Sequence, residues 1–335
     1  MLKKNIWIAV LVLLVVVLFG LNSGLTASKP KVLKLAHVNN TTQPIHLTCE
    51  KLAELVAERT NNRIQINVFP AGQLGSNAEI FQGVKFGTIE MGVIPPPGLS
   101  DIAPGYAIFD AGYVFRDVEH FKKVVDGPIG RELAADLIKK GGIRVLGVEY
   151  LGTRHLTTKN KLVKRPEDLA GMKIRAVEFP IYVAVINAMG GTATPVAFQE
   201  LFGALQSGIV DGQENPTPSI WSAKMYEVQK YLMLTGHIMA GLTLSINERV
   251  YQGLSKEDRG ILEQATTEAI AYGEKLLLAE EQELLQSLKE KGMIVVGPEE
   301  GLQVERFKQK VIEQVLPKFE SKWGKGLYER IQEVK

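Results

Sequence analysis

The chain reads as an α/β protein of two hinged lobes, each a β-sheet flanked by helices, with a long C-terminal helix spanning both. Three observations predict this. Between residues 32 and 94, short strand-like runs alternate with helical patterns, as in a sheet with helices on both faces. After Leu151 the same grammar restarts with no Gly/Ser-rich linker, so several chain crossings make a hinge rather than a tether. Beyond Ser255, apolar residues recur every three or four positions toward Lys291, until Gly292 stops the pattern. A helix of roughly 35 residues is about 50 Å long at 1.5 Å per residue, enough to cross both lobes. At roughly 150 residues per domain, 335 residues suffice for two cores.

The elements follow in order. Residues 32–38 (VLKLAHV) form a strand. Ile45, Cys49, Leu52 and Val56 then share one helix face. The chain's single cysteine sits on that face, as a small core hydrophobe rather than a reactive thiol. His46 and Glu50, on another face, read as a solvated pair. Residues 64–68 are a strand, 78–86 a helix stopped by Gly87, and 89–94 a strand ended by Pro95, Pro96 and Pro97. Residues 128–140 are a helix with proline in its first turn, closed by Gly141 and Gly142. Residues 143–150 are a strand. In the second half, 173–177 is a strand, 181–189 and 198–206 are helices closed by glycines, and 238–246 is a longer extended run. Ser255 caps the long helix, with Asp258 reaching back as a capping-box variant. The expected division is 28–151 with 241–280 as one lobe, and 152–240 with 281–335 as the other.

Lys3 and Lys4 precede sixteen residues, 6–21, that are apolar apart from Gly20, and small and polar residues follow. This describes residues 1–27 as an export signal or an uncleaved N-terminal anchor. The rest is expected outside the cytoplasm. Removing the segment takes away two lysines and no acid, leaving 308 residues of zero formal charge. Over the whole chain 39 Lys and Arg oppose 37 Asp and Glu, so no basic excess suggests nucleic-acid binding. One cysteine excludes a disulfide-stapled class.

Catalytic signatures are missing. There is no GxGxxG after a strand, no Walker A loop and no GxSxG elbow. The five histidines show no HExxH spacing. No metal or cofactor is expected, and the chain reads as a binding protein rather than an enzyme.

The informative constellation lies in the middle: GTRHLTT at 152–158, RPEDLAGMKIR at 165–175, PVAFQELFGAL at 195–205 and VDGQENP at 210–216. With FPAGQLG at 69–75, these motifs make the chain resemble the solute-binding proteins of TRAP transporters, the DctP family. The resemblance implies a periplasmic-binding-protein-like fold and capture of a small organic acid. Delivery would be to the small and large subunits of an ion-gradient-driven permease, by a monomer or a homodimer.

The resemblance implies that Arg175 makes a bidentate contact with the ligand carboxylate, a match to its planar, permanently charged fork. It also implies that Arg154 approaches the same carboxylate, that Asn215 hydrogen-bonds it and that Phe198 packs on the ligand. Taken singly, Arg154 reads as a surface residue, Arg175 as a partner of Asp168 or Glu167, Asn215 as a turn residue and Phe198 as core. The joint arrangement outweighs those readings. Glu178, three residues past Arg175, is a candidate acceptor for a ligand hydroxyl or amine. His37 and Asn39 end the first strand, where a cleft lip belongs, and His37 is a candidate second cation for a dicarboxylate. Trp221 is a candidate pocket wall, with core packing as its default. Three other readings stay open: a carboxylate-sensing module, an exported enzyme on a carboxylated substrate, and a coiled-coil partner through the C-terminal helix.

Overall fold

The computed structural model describes residues 29–335, so the export-signal expectation lies outside the described residues. Nine strands form one mixed sheet in the order β2-β1-β3-β8-β4-β7-β5-β6, with β9 also on β8. They are β1 (Lys31–Ala36), β2 (Ile64–Phe69), β3 (Met91–Ile94), β4 (Ile143–Thr158), β5 (Lys173–Ala176), β6 (Thr192–Pro195), β7 (Gly212–Pro216), β8 (Tyr231–Asn247) and β9 (Ile294–Val296). The helices described are α1 (Pro44–Arg59), α2 (Asn77–Phe86), α3 (Val118–Val125), α4 (Pro128–Gly141), α5 (Pro180–Met189), α6 (Leu201–Ser207), α7 (Thr217–Ser222), α8 (Glu248–Gln252), α9 (Lys256–Glu290), α10 (Val304–Trp323) and α11 (Leu327–Glu333). None is long and apolar enough to cross a membrane among the described residues.

The two-lobed α/β class stands, but the lobes share a sheet. The expected strands 143–150 and 238–246 are halves of β4 and β8, which are 16 and 17 residues long. They pair antiparallel from Ile143 opposite Asn247 to Thr158 opposite Tyr231, with irregularities at Val145/Gly147, Tyr150/Gly152 and Arg154/Leu156. β1 to β3 attach through the Thr243–Ile246 end of β8, and β7, β5 and β6 through the Arg154–Thr158 end of β4. The extensions escaped the sequence because Gly152, Gly236 and several polar residues interrupt alternation. Their backbone is paired by neighbours distant in sequence instead.

The α1 stripe of Ile45, Cys49, Leu52 and Val56 is buried, in one core with Leu262, Ala265 and Ala269 of α9. Cys49 is fully buried and burial pushes its thiol pKa up, which keeps it neutral. At the far end of α9, Leu288 joins a different core with Leu201, Leu205 and Ile220. The 35-residue helix therefore ties both halves together. Ser255 Oγ accepts from the Asp258 amide at 3.0 Å, as expected of a cap. The reciprocal half of the capping box is replaced: the Asp258 carboxylate accepts from Arg63 at 2.8 Å.

Where α9 packs on α1 and β4 it presses on a buried acid. A Cβ on Gly273 would fall 1.8 Å from Thr48 Oγ1 and 2.6 Å from Glu149 Oε1, so only glycine permits this approach. Glu149 is 2% exposed, accepts from Thr48 Oγ1 at 3.0 Å and has no partner for Oε2 among the described residues. Burial, with Glu274 adding repulsion, raises its pKa well above the ordinary value. A carboxyl raised in the fold favours folding fully below its unfolded pKa of about 4.3 and loses that contribution as pH rises through the folded value. Glu149→Gln, which is neutral at every pH, is therefore expected to melt at least about 2 °C higher than wild type at pH 8. Thermal melts at pH 4 and pH 8 check this, and the difference should vanish at the lower pH.

Candidate functional site

A cleft of about 460 Å³, open solvent included, lies where the halves of the sheet meet, and Leu151, Ala240, Gly241 and Leu242 of the crossing segment help to line it. Arg175 reaches it from β5, which runs between β6 and β7. The residue is 1% exposed, and its Nε donates to the Val196 carbonyl at 2.8 Å. Among the described residues its Nη atoms have no hydrogen-bond partner, and no carboxylate is within ion-pair distance. Burial pulls its pKa down to about 10, with repulsion from Arg154 added and attraction from Glu214 opposing. It stays charged at neutral pH.

Arg154 comes from β4, beside β7. Its environment is the opposite. Nε and Nη2 donate to the Glu214 carboxylate at 2.5 and 2.8 Å, and Nη2 also donates to the Glu214 carbonyl at 2.8 Å. This is a fork-on-fork ion pair between two buried side chains. Burial works against the charge on Glu214, yet Arg154 and His237 hold its pKa down at about 2. His237 Nε2 lies 3.1 Å from Glu214, and its Nδ1 lies 2.8 Å from Thr235 Oγ1. The Tyr182 ring sits 5.3 Å from the Arg154 guanidinium, and its hydroxyl donates to Asp110. Burial pushes Asp110 up to about 7, with Tyr182 and Arg154 acting in the other direction.

The structure brings Arg154, Arg175, Asn215, Phe198 and Asn39 together on this cleft. The remaining sequence candidates lie outside its lining. His37 is fully buried, its Nε2 3.2 Å from His46 Nδ1, and burial with His46 brings it down to about 4. It is neutral at pH 7 and supplies no second cation there. His46 is largely covered by this contact, so only Glu50 of the expected solvated pair is well exposed. Trp221, on α7, packs on Tyr226 with ring centroids 5.2 Å apart, partly buried against the core that α6 and α7 share. Glu178 is half-buried, with Oε2 unpartnered among the described residues; burial raises its pKa, with Arg175 opposing.

Sequence reasoning passed over Glu214, Asn77, Tyr182 and Ser219. Glu214 stood in plain view inside QEN, next to Asn215, which was weighed. Its partner is 60 residues away, and only the β4–β7 pairing brings them together. Tyr182 lay in a run read purely as a helix, and Asn77 stood one residue before the helix expected at 78–86.

Chemically, the cleft offers a charged, incompletely bonded guanidinium, a second guanidinium already balanced, an aromatic face and neutral amides. Such a set offers an anion both charge and hydrogen-bond donors.

Comparison with known proteins agrees. The profile of bacterial extracellular solute-binding protein family 7, DctP, matches residues 35–322. The 2,3-diketo-L-gulonate-binding periplasmic protein of Escherichia coli is 33% identical over 264 residues, 79% of this chain and 80% of that protein. The C4-dicarboxylate-binding periplasmic protein of Rhodobacter capsulatus is 30% identical over 270 residues, 79% of each chain. Among solved structures, a TRAP periplasmic solute-binding protein from Polaromonas, bound to D-erythronate, superposes with a TM-score of 0.86 at 32% identity. It covers 91% of this chain and 99% of its own. One from Sulfurospirillum deleyianum with bound succinate gives 0.84 at 29% identity, again covering 91% and 99%. By the family match over most of its length and by its fold, the chain belongs to the DctP family of TRAP-type extracellular solute-binding proteins.

Proposed function

We propose that this protein captures a small organic acid outside the cytoplasm by an Arg175–carboxylate clamp and delivers it to an ion-gradient-driven TRAP permease. The observation that carries the reading is Arg175: buried on the cleft, charged, and without a carboxylate partner among the described residues. An incoming carboxylate completes its two Nη donors. Asn215 and Arg154 line the same cleft. The relatives' names and bound ligands, a diketo-gulonate, a C4-dicarboxylate, D-erythronate and succinate, support the ligand class. The proposed lobes are 28–151 with 241–280 and 152–240 with 281–335. The register supports this division, since Tyr150 faces Gly241 and Gly152 faces Ala240 at the crossing.

Closure has a polar latch. Gln43 Nε2 donates to Ser222 Oγ at 2.8 Å, and Asn40 Nδ2 donates to the Ser222 carbonyl at 3.0 Å. These bonds tie the β1–α1 loop of one lobe to α7 of the other. Binding and closure are then linked, because only the shut form surrounds the ligand. Gln43→Ala is expected to weaken acid binding roughly fivefold to thirtyfold, from about 1–2 kcal/mol of lost hydrogen bonding. Isothermal titration checks it, and an unchanged affinity would remove the latch from the mechanism.

The reading as a whole is tested by a thermal-shift screen against mono- and dicarboxylates, keto acids, sugar acids and amino acids. Stabilisation by carboxylates, and not by their amides or esters, is the expected result. Indifference to the whole panel would refute the clamp.

A further inference from the structure

We infer that the cleft selects an organic monoanion with an uncharged, hydroxyl-bearing tail over a dicarboxylate of equal length. This rests on the carboxylate-clamp reading and refines it. The charge count in the closed cleft carries it. Two guanidiniums line the cavity, but Arg154 is balanced by the two-point contact with Glu214. Every other lining residue is uncharged. Arg175 is left as the lining guanidinium with no carboxylate in ion-pair contact among the described residues, although Glu214 and Glu178 attract it from farther away, and one carboxylate completes it.

A second carboxylate in the shut cleft meets no cation. Burying a charge without a partner is strongly unfavourable. His37, the second cation expected from the sequence, is buried against His46 and outside the lining. Glu178, outside the lining, has Arg175 as its cation neighbour and the acids Glu200 and Glu79 near it, so it adds no further positive charge for a second anion.

The neutral polar groups suit hydroxyls instead. Asn77, at the start of α2, is 5% exposed and lines the cleft, and its side-chain amide has no hydrogen-bond partner among the described residues. Asn39 and Asn215 donate through Nδ2 to neighbouring glutamines, at 2.9 and 2.5 Å. Their Oδ1 atoms are without a donor among the described residues. A hydroxyl both donates and accepts, so it satisfies an amide oxygen or an amide N–H. A carboxylate only accepts, and cannot satisfy those oxygens.

The test is isothermal titration of the full-length chain with matched pairs that differ only in a terminal CH2OH or carboxylate: erythronate and meso-tartrate, gluconate and glucarate, 4-hydroxybutyrate and succinate. In each pair that binds, the monoanion is expected to be at least about tenfold tighter. Asn77→Lys, which adds an ammonium at the neutral end, is expected to narrow or invert that ratio. Equal or tighter binding of the diacids by wild type would overturn the monoanion inference while leaving the clamp standing. Binding that survives unchanged in Arg175→Ala, or no binding in any pair, would overturn the clamp reading itself and this inference with it.

Discussion

Arg175→Ala is expected to lose organic-acid binding by roughly thirty- to several-thousand-fold, because removing one partner of a buried charged pair costs on the order of 2–5 kcal/mol. The empty protein is expected to fold normally. Its Arg175 side chain makes one hydrogen bond to a carbonyl, and burial opposes its charge, so its removal relieves desolvation rather than breaking an ion pair. Arg175→Lys should also bind poorly, since a point charge does not reproduce two parallel N–H donors. Ligand-dependent thermal shift beside circular dichroism separates the two effects. A variant with wild-type shifts would show that the acid docks elsewhere.

Glu214→Ala is expected to act on the fold as well as on the site, destabilising it by about 3–5 kcal/mol. The substitution leaves the buried Arg154 guanidinium uncompensated and removes the acceptor of His237. The effect depends on pH with a definite sign. Glu214 has a folded pKa of about 2, below the unfolded value of about 4.3. Its contribution is therefore present above the unfolded value and is lost as pH falls toward 2. Urea unfolding at pH 7 and pH 3 checks both points: the gap between wild type and variant should shrink in acid. Equal unfolding midpoints at pH 7 would mean that the pair adds nothing to stability.

The contrast between these variants comes from one difference. Both arginines were visible as members of a motif, and the resemblance assigned both to one carboxylate. The structure separates them: one is already neutralised by the chain and the other is not. The separation was not legible because it depends on strand pairing between residues 154 and 214, and residue type alone does not reveal register. The same limit explains His37 and Trp221. Each stands at a plausible sequence position for a cleft wall, yet each packs on a local partner, His46 and Tyr226.

Local physics was readable where it acts over a turn or two. The α1 stripe, the proline-started α4, the glycine stops and the Ser255 cap all follow from spacing and backbone preference. The spanning length of α9 was also legible, because 35 residues at a fixed rise admit no other extent. What the amino-acid order determined alone was therefore the set of elements, the α/β class and the motif that marks the family. Tertiary structure decided the rest. It ran β4 and β8 through both lobes, set Glu214 against Arg154, closed Gln43 onto Ser222 and left Arg175 open to the cleft. The physical reason is that hydrogen-bond patterns along a chain are local, whereas electrostatic compensation depends on which distant side chains the sheet brings within a few ångströms.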